Sequence, residues 1–118
     1  MLRTMLKSKI HRARVTEACL DYQGSVSIDA NLMQAADMLE YEQVHIYNIS
    51  NGERFITYVI QGEPGSGVIC LNGAAARKVS VNDLIIICTY VAVDDSEAGA
   101  FKGKNVLVDQ DNRIVKIT

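Results

Sequence analysis

Val44-His45-Ile46-Tyr47-Asn48-Ile49-Ser50-Asn51-Gly52-Glu53-Arg54-Phe55-Ile56-Thr57-Tyr58-Val59-Ile60 reads as two strands joined at Asn51-Gly52. From Val44 to Ile49 apolar and polar side chains alternate, the period of a strand with one buried face. Asn-Gly is the strongest short hairpin signal, because both central positions of the tight turn need positive φ. Arg54 to Ile60 is then the return strand. Phe55, Thr57 and Val59 fall on one face, and Arg54, Ile56, Tyr58 and Ile60 on the other. Arg54 and Tyr58 therefore share a face, two strand repeats apart. An arginine and a tyrosine among isoleucines suggest a polar site cut into a packed surface.

The pattern repeats outward from this hairpin. Glu63-Pro64-Gly65-Ser66-Gly67 is a turn, and Val68 to Leu71 is the next strand. Val81-Asn82-Asp83 turns into the apolar run Leu84 to Cys88, which continues through Tyr90 and Val93. Val106–Val108 and Ile114–Ile117 form a late hairpin around Gln110-Asp111-Asn112. One helix stands out. Asp29 is a natural N-cap, and Leu32, Ala35, Ala36 and Leu39 follow at helical spacing. Asp94 to Ala100 suggests a second, shorter helix. Many short strands with one or two small helices predict a mainly β chain folded as a small closed barrel.

At 118 residues, 1–118 is one domain. A chain this small leaves apolar surface uncovered, which favours association with further copies. The 48% hydrophobic and 22% charged residues argue against disorder. The net charge of −2 gives no reason to expect nucleic acid as a partner. The cations Arg3, Lys7, Lys9, Arg12 and Arg14 are local to the first strand, where a solvated face is the default reading. No apolar h-region follows the basic start, and no apolar run reaches membrane-spanning length. Cys19, Cys70 and Cys88 are odd in number and lack CxxC spacing. They suit buried thiols in a cytoplasmic protein better than disulfides or zinc ligands. His11 and His45 are too few and too far apart to argue for a metal. Gly62-x-x-Gly65-x-Gly67 lacks the Lys-Ser/Thr and the helix of a phosphate loop, so it reads as a hairpin turn.

Four short motifs occur in order: the basic Lys7-Ser8-Lys9-Ile10-His11-Arg12, then Gly24-Ser25, Asn51-Gly52-Glu53-Arg54-Phe55-Ile56-Thr57-Tyr58, and Asn72-Gly73-Ala74-Ala75-Ala76. Taken singly each is ordinary: Gly-Ser is a loop, Tyr58 rim or core, Lys9 and Arg54 solvated charges. As a set, in this order and spacing, they resemble the aspartate 1-decarboxylases, from Met1 to about Asp95. The resemblance implies a double-psi β-barrel. It also implies a covalent pyruvoyl cofactor made from Ser25, with the chain cut between Gly24 and Ser25 into 1–24 and 25–118. The Ser25 hydroxyl would attack the Gly24 carbonyl, moving the acyl group from nitrogen to oxygen. Elimination of the ester leaves dehydroalanine, and hydrolysis with loss of ammonia leaves the pyruvoyl group. Glycine before the serine suits the attack, having no side chain to obstruct it.

The reaction so implied is decarboxylation of L-aspartate to β-alanine, for pantothenate and coenzyme A synthesis. A Schiff base between the pyruvoyl ketone and the substrate amine would act as electron sink. Tyr58 looks like the proton donor, a phenol with pKa ~10 facing a strongly basic carbanion. Arg54 resembles a bidentate clamp for a substrate carboxylate. Lys9 and His11 would add positive potential. Thr57 resembles the residue beside the cleavage and substrate site, and neighbours on a flat strand cannot both face it, so Thr57 and Tyr58 call for a subunit interface or strong twist. Gly73-Ala74-Ala75 resembles a loop letting backbone N–H groups approach the ligand, with Asn72 holding that loop or the cleavage-site carbonyl. Tyr22 flanks the cut. Tyr47 stands where the family often has tryptophan, and Arg14 where it often has lysine; aromaticity and charge are kept. The resemblance further implies a homotetramer with sites between subunits, some relatives needing a maturation factor, and neither metal nor pyridoxal phosphate. The tail after Gly99 is assigned no function. Two alternatives stand beside this reading: a non-catalytic double-psi barrel binding module, and a pyruvoyl decarboxylase of another acidic amino acid such as glutamate.

Overall fold

The computed structural model describes residues 1–118. Nine strands form one hydrogen-bonded array in the order β2-β6-β3-β5-β4-β7-β1-β8-β9. The strands are β1 (Leu2–Arg14), β2 (Glu17–Cys19), β3 (Ser25–Asp29), β4 (Gln43–Asn48), β5 (Arg54–Gly62), β6 (Ile69–Asn72), β7 (Leu84–Asp94), β8 (Lys104–Val108) and β9 (Ile114–Ile117). The array closes on itself because β1 and β2 are nearly one segment. Between them the Val15 N–H donates to the Asp83 carbonyl at 2.9 Å, and the Thr16 N–H donates to the Ile69 carbonyl at 2.8 Å. That stitches the β7 side to the β6 side and leaves β8–β9 as a flap beyond β1, where β8 pairs with Ser8 to His11. Closure removes the exposed edges an open sheet would carry. The chain is the mainly β barrel that its sequence predicts. Its three parallel pairs, β1 with β8, β2 with β6 and β3 with β5, join strands that are not consecutive in sequence, in keeping with the double-psi arrangement.

Alternation in sequence becomes inside and outside. Val44 and Ile46 of β4, Val26 and Ile28 of β3, and Ile85 and Ile87 of β7 are fully buried. They belong to one apolar cluster of 19 residues. Each such side chain contributes about 1.5–3 kcal/mol on burial. A bulge in β1 between Ile10 and Ala13 puts Arg12 at φ 65° and keeps Ala13 on the core side.

The hairpin forms as expected, but its turn is longer than Asn51-Gly52 alone. Residues 49–53 separate the strands; the Gly52 N–H donates to the Asn48 carbonyl at 2.9 Å, and the Asn48 N–H to the Glu53 carbonyl at 2.8 Å. Only Gly52 has positive φ there, at 80°. Asn48 is buried and accepts from the Ser50 N–H at 2.8 Å, and the Asn51 side chain accepts from Glu53 N–H at 2.8 Å. These local side-chain acceptors build a wider loop in place of a two-residue turn.

The first helix, α1 (Ala30–Ala35), has Asp29 as its N-cap, accepting from Asn31 N–H at 2.8 Å. Leu32 and Ala36 are buried, but the helix stops before Leu39, which is 71% exposed. Asp37 follows at φ 54° and breaks the helical path. The second helix, α2 (Asp95–Ala98), is capped by Asp94. The segment Gly73–Lys78 is a 3₁₀ helix, so the small-residue loop predicted there is wound into a turn. No helix is long and apolar enough to cross a membrane.

Candidate active site

Ser25 opens β3, and its position follows from register. It pairs with Asn72, the last residue of β6, in the antiparallel β3–β6 ladder. Cross-strand partners project to one side, and Asn72 Nδ2 donates to Ser25 Oγ at 2.9 Å and to Ser27 Oγ at 3.2 Å. Asn72 Oδ1 accepts in turn from the Cys70 thiol at 3.2 Å. Ser25 is 2% exposed and Asn72 4%. The serine hydroxyl is thus buried, oriented by an amide, and still has a proton to give; its own donor contact, to the Gln23 carbonyl, is long at 3.5 Å. Burial raises the Cys70 thiol pKa, with Glu17 and Cys19 adding to the shift, so it stays a neutral donor to Asn72.

Gly24 stands against the turn after β6. Gly73 has φ 64°, and a Cβ there would lie 2.7 Å from Gly24 N and 2.8 Å from the Tyr22 carbonyl oxygen. On its other side nothing lies within 4 Å of where a Gly24 side chain would begin. A cleft of ≈ 220 Å³ opens there, lined by Gly24, Phe55, Ile56, Thr57, Ala74, Ala75 and Lys78. Tyr22 is 67% exposed beside it. Pocket-sized space, a buried nucleophile and an unhindered carbonyl are brought together from three elements far apart in sequence.

The parallel β3–β5 pair places the tyrosine. The ladder begins with Val26 level with Val59; continuing its register one residue back would set Ser25 level with Tyr58, and two residues back Gly24 with Thr57. Level residues of a parallel pair face the same way. Tyr58 therefore shares the outer face with Ser25, while Thr57 turns inward at the rim where Gly24 lies. The expected opposition of Thr57 and Tyr58 holds within one chain. Tyr58 is 37% exposed, and its ring stands 6.3 Å from that of Tyr41.

The remaining cations sit elsewhere on the outer face. Arg54 begins β5 and lies over the Tyr47 ring, with Cζ 3.8 Å from its centroid. Tyr47 and Tyr90 share a hydroxyl–hydroxyl hydrogen bond of 2.7 Å. Lys9 is on β1, level with Cys88 of β7 and Asn105 of β8. From β3 to β1 there are four strand steps, roughly 19 Å along the sheet. Arg54 is four residues from Tyr58, roughly 13 Å along the strand. One chain therefore gathers Ser25, Asn72, Gly73, Ala74, Ala75, Thr57 and Tyr58, and holds Lys9, His11, Arg54 and Tyr47 apart from them. Three other basic residues of β1 are engaged: Lys7 Nζ pairs with Glu42 at 2.7 Å, Arg3 pairs with Asp95, and Arg14 donates to the Gln110 and Asn82 carbonyls at 3.2 Å each.

His11 has a buried Nδ1 with no partner. Its pKa is lowered, first by desolvation and then by Lys9 and Arg12. No group of three or more His, Cys, Asp or Glu could hold a metal ion.

Ser27, Cys70, Lys78 and Tyr90 join these clusters without having stood out in the sequence. For Ser27 and Cys70 a signal exists in hindsight. Each lies two residues from Ser25 or Asn72, on the same strand face. Tyr90 and Lys78 arrive through tertiary contacts alone.

Comparison with known proteins follows the same residues. The family described as aspartate decarboxylase matches residues 1–115, reaching well past the last motif at Asn72 to Ala76 and into the tail. The chain is 64% identical to the aspartate 1-decarboxylase of Syntrophus aciditrophicus, covering 97% of this chain and 98% of that one. It is 59% identical to that of Methylibium petroleiphilum, over 99% and 98%, and 56% identical to that of Thermoanaerobacter pseudethanolicus, over 99% and 100%. Among solved structures, the computationally designed msDPBB_sym2 protein is similar at 18% identity and a TM-score of 0.47, over 72% of this chain and 96% of that one; the likeness is too loose to carry a conclusion.

Proposed function

The chain belongs to the aspartate decarboxylase family, and on that premise we propose that it matures by cutting itself between Gly24 and Ser25, its new N-terminus becoming the pyruvoyl cofactor. The enzyme is a carboxy-lyase that decarboxylates aspartate, giving β-alanine and CO2. The cytoplasm is the proposed location, supported by three free cysteines, two of them buried. The proposed destination of the product is pantothenate and coenzyme A.

One observation carries the processing: a serine hydroxyl that is buried and held by Asn72 Nδ2 at 2.9 Å, immediately after a carbonyl whose residue has nothing within 4 Å of its Cβ position. Ser25 Oγ attacks the Gly24 carbonyl carbon, and the C–N bond gives way to an ester. Loss of the Ser25 α-proton expels the Gly24 carboxylate, and water then displaces ammonia from the dehydroalanine. Asn72 orients the attacking oxygen. Gly73 and Tyr22 brace the Gly24 backbone from behind, and Thr57 lines the cleft at the level of Gly24.

The pyruvoyl ketone supplies an electron sink for departure of the substrate carboxylate. The chain's own residues do the rest. Tyr58, level with Ser25, is the proposed proton donor at the carbon that loses CO2. Arg54 receives a carboxylate through its N–H edge, and Lys9 holds positive potential; His11, expected to add to it, has its pKa lowered by desolvation and by Lys9 and Arg12, and so adds none at neutral pH. Ala74 and Ala75 keep the cleft wall low beside the substrate. Because Lys9 and Arg54 lie apart from Ser25 within one chain, the complete site is proposed to form between subunits of a homotetramer.

Intact mass under denaturing conditions tests the reading, with borohydride-treated protein beside it. Two chains divided after Gly24, the larger carrying a reducible ketone, are expected; Ser25→Ala should stay whole and inactive. Cleavage or turnover in that variant would refute the assignment. Wild-type chain that stays whole through prolonged warm incubation would sink unaided processing and call for a maturation factor.

A further inference from the structure

We infer that Tyr90 is a positioning residue for substrate binding: its hydroxyl pins Tyr47, and the pinned Tyr47 ring fixes the Arg54 guanidinium. The inference rests on the reading of Arg54 as the group that receives a substrate carboxylate.

The chain of contacts is continuous. Arg54 and Tyr47 are cross-strand partners on β5 and β4, and Arg54 Cζ lies 3.8 Å from the Tyr47 ring centroid. A guanidinium over a ring face keeps its N–H edge free for a planar carboxylate. None of the chain's ion pairs involves Arg54, so its charge is available to a ligand. Tyr47 is itself a long side chain on the barrel's outer face, and an unrestrained platform would swing with the arginine. The 2.7 Å hydroxyl bond to Tyr90 on β7 ties its far end down. Tyr90 is anchored in turn, because the His45 ring meets it edge-on at 4.9 Å and 72°. The Tyr90 pKa is pushed up, chiefly by the bond to Tyr47 and then by burial. The Tyr90 hydroxyl thus keeps its proton across the range in which the enzyme would be assayed.

Pre-ordering a flexible cation lowers the entropy lost when ligand binds, so the effect belongs in affinity rather than in the chemical step. Tyr90→Phe removes one hydroxyl and keeps the ring on His45. In the mature enzyme it is expected to raise KM for aspartate about five-fold with kcat within about two-fold, the size of one lost neutral hydrogen bond. Tyr47→Phe should match it, and the double variant should be no worse than either, since both remove one bond. Calorimetry with succinate, a dicarboxylate lacking the reacting amine, should show the same loss of affinity independently of turnover. Arg54→Ala is the control. If it raises KM while Tyr90→Phe does not, the positioning role is overturned and the clamp stands. If Arg54→Ala leaves KM unchanged, the clamp falls and the inference with it. Additive single effects, or a loss confined to kcat, would also overturn the inference.

Discussion

At Gly73 two constraints coincide. Its φ of 64° lies in the left-handed region, and a Cβ would approach Gly24 N at 2.7 Å and Gly24 Cα at 2.8 Å. Those atoms are backbone and belong to the residue that must present its carbonyl to Ser25. Gly73→Ala therefore cannot relax by swinging a side chain away; the 22–24 loop must move. The variant is expected to lose about 1–3 kcal/mol of stability from the strained φ, read as a shift in urea midpoint. It is also expected to slow the cut after Gly24 at least ten-fold, read by intact mass over time. Normal cutting in a folded Gly73→Ala chain would remove Gly73 as the brace of the cleavage loop. The sequence marks Gly73 as a residue of interest through the Asn72 to Ala76 motif, and the structure adds a second reason. A small residue near a ligand and a glycine that backs another glycine look alike until the β3–β6 register brings positions 24 and 73 together.

The element scale separates what short-range pattern can carry from what it cannot. The faces of β5 follow from its two-residue period, and the Asp29 cap of α1 from one side chain accepting a neighbouring N–H. Both are local, so both are legible. The end of α1 is not: Leu39 continues the helical spacing, but the left-handed Asp37 intervenes. The Asn51-Gly52 turn widens because Asn48, one residue before the predicted strand's closing Ile49, caps the loop from within and is itself held by Asp83 at 2.8 Å, a contact 35 residues away in sequence. On β1, three groups read as a basic strand act together. His11 is desolvated beside Lys9 and Arg12, which lowers its pKa below the ordinary 6.5. Below that value the unfolded chain takes up a proton that the folded chain still refuses. Stability contributed by neutral His11 is therefore fully present above pH 6.5 and falls as pH drops towards the folded pKa. His11→Gln should flatten the difference between urea midpoints at about pH 7.5 and about pH 5. An unchanged pH dependence would show that His11 is not the group refusing the proton.

The molecule as a whole poses the question of reach. Counted through β5, β4 and β7, Lys9 and Ser25 stand on strands four steps apart, roughly 19 Å along the sheet, and the side-chain hydrogen bonds of Ser25 run to Gln23 and Asn72 alone. A site that uses both is proposed to draw them from different copies of the chain. Leu2, Tyr22, Ile56 and Val115 are all at least half exposed, apolar surface that contact with another copy of the chain could cover. A shared site can be tested by mixing defects. Lys9→Ala and Ser25→Ala chains should each be inactive, or nearly so, alone. Co-expressed, they should form assemblies in which some sites take Ser25 from one chain and Lys9 from the other. With random assembly about a quarter of sites would hold both native residues, so activity near that fraction of wild type is expected. Native mass spectrometry on the same samples would establish that mixed tetramers had formed. Mixed tetramers with no activity above the single variants would mean that Lys9 and Ser25 do not meet across a subunit boundary. The cation serving the substrate would then have to be sought nearer to Ser25, with Lys78, which already lines the cleft beside Gly24, as the first to substitute.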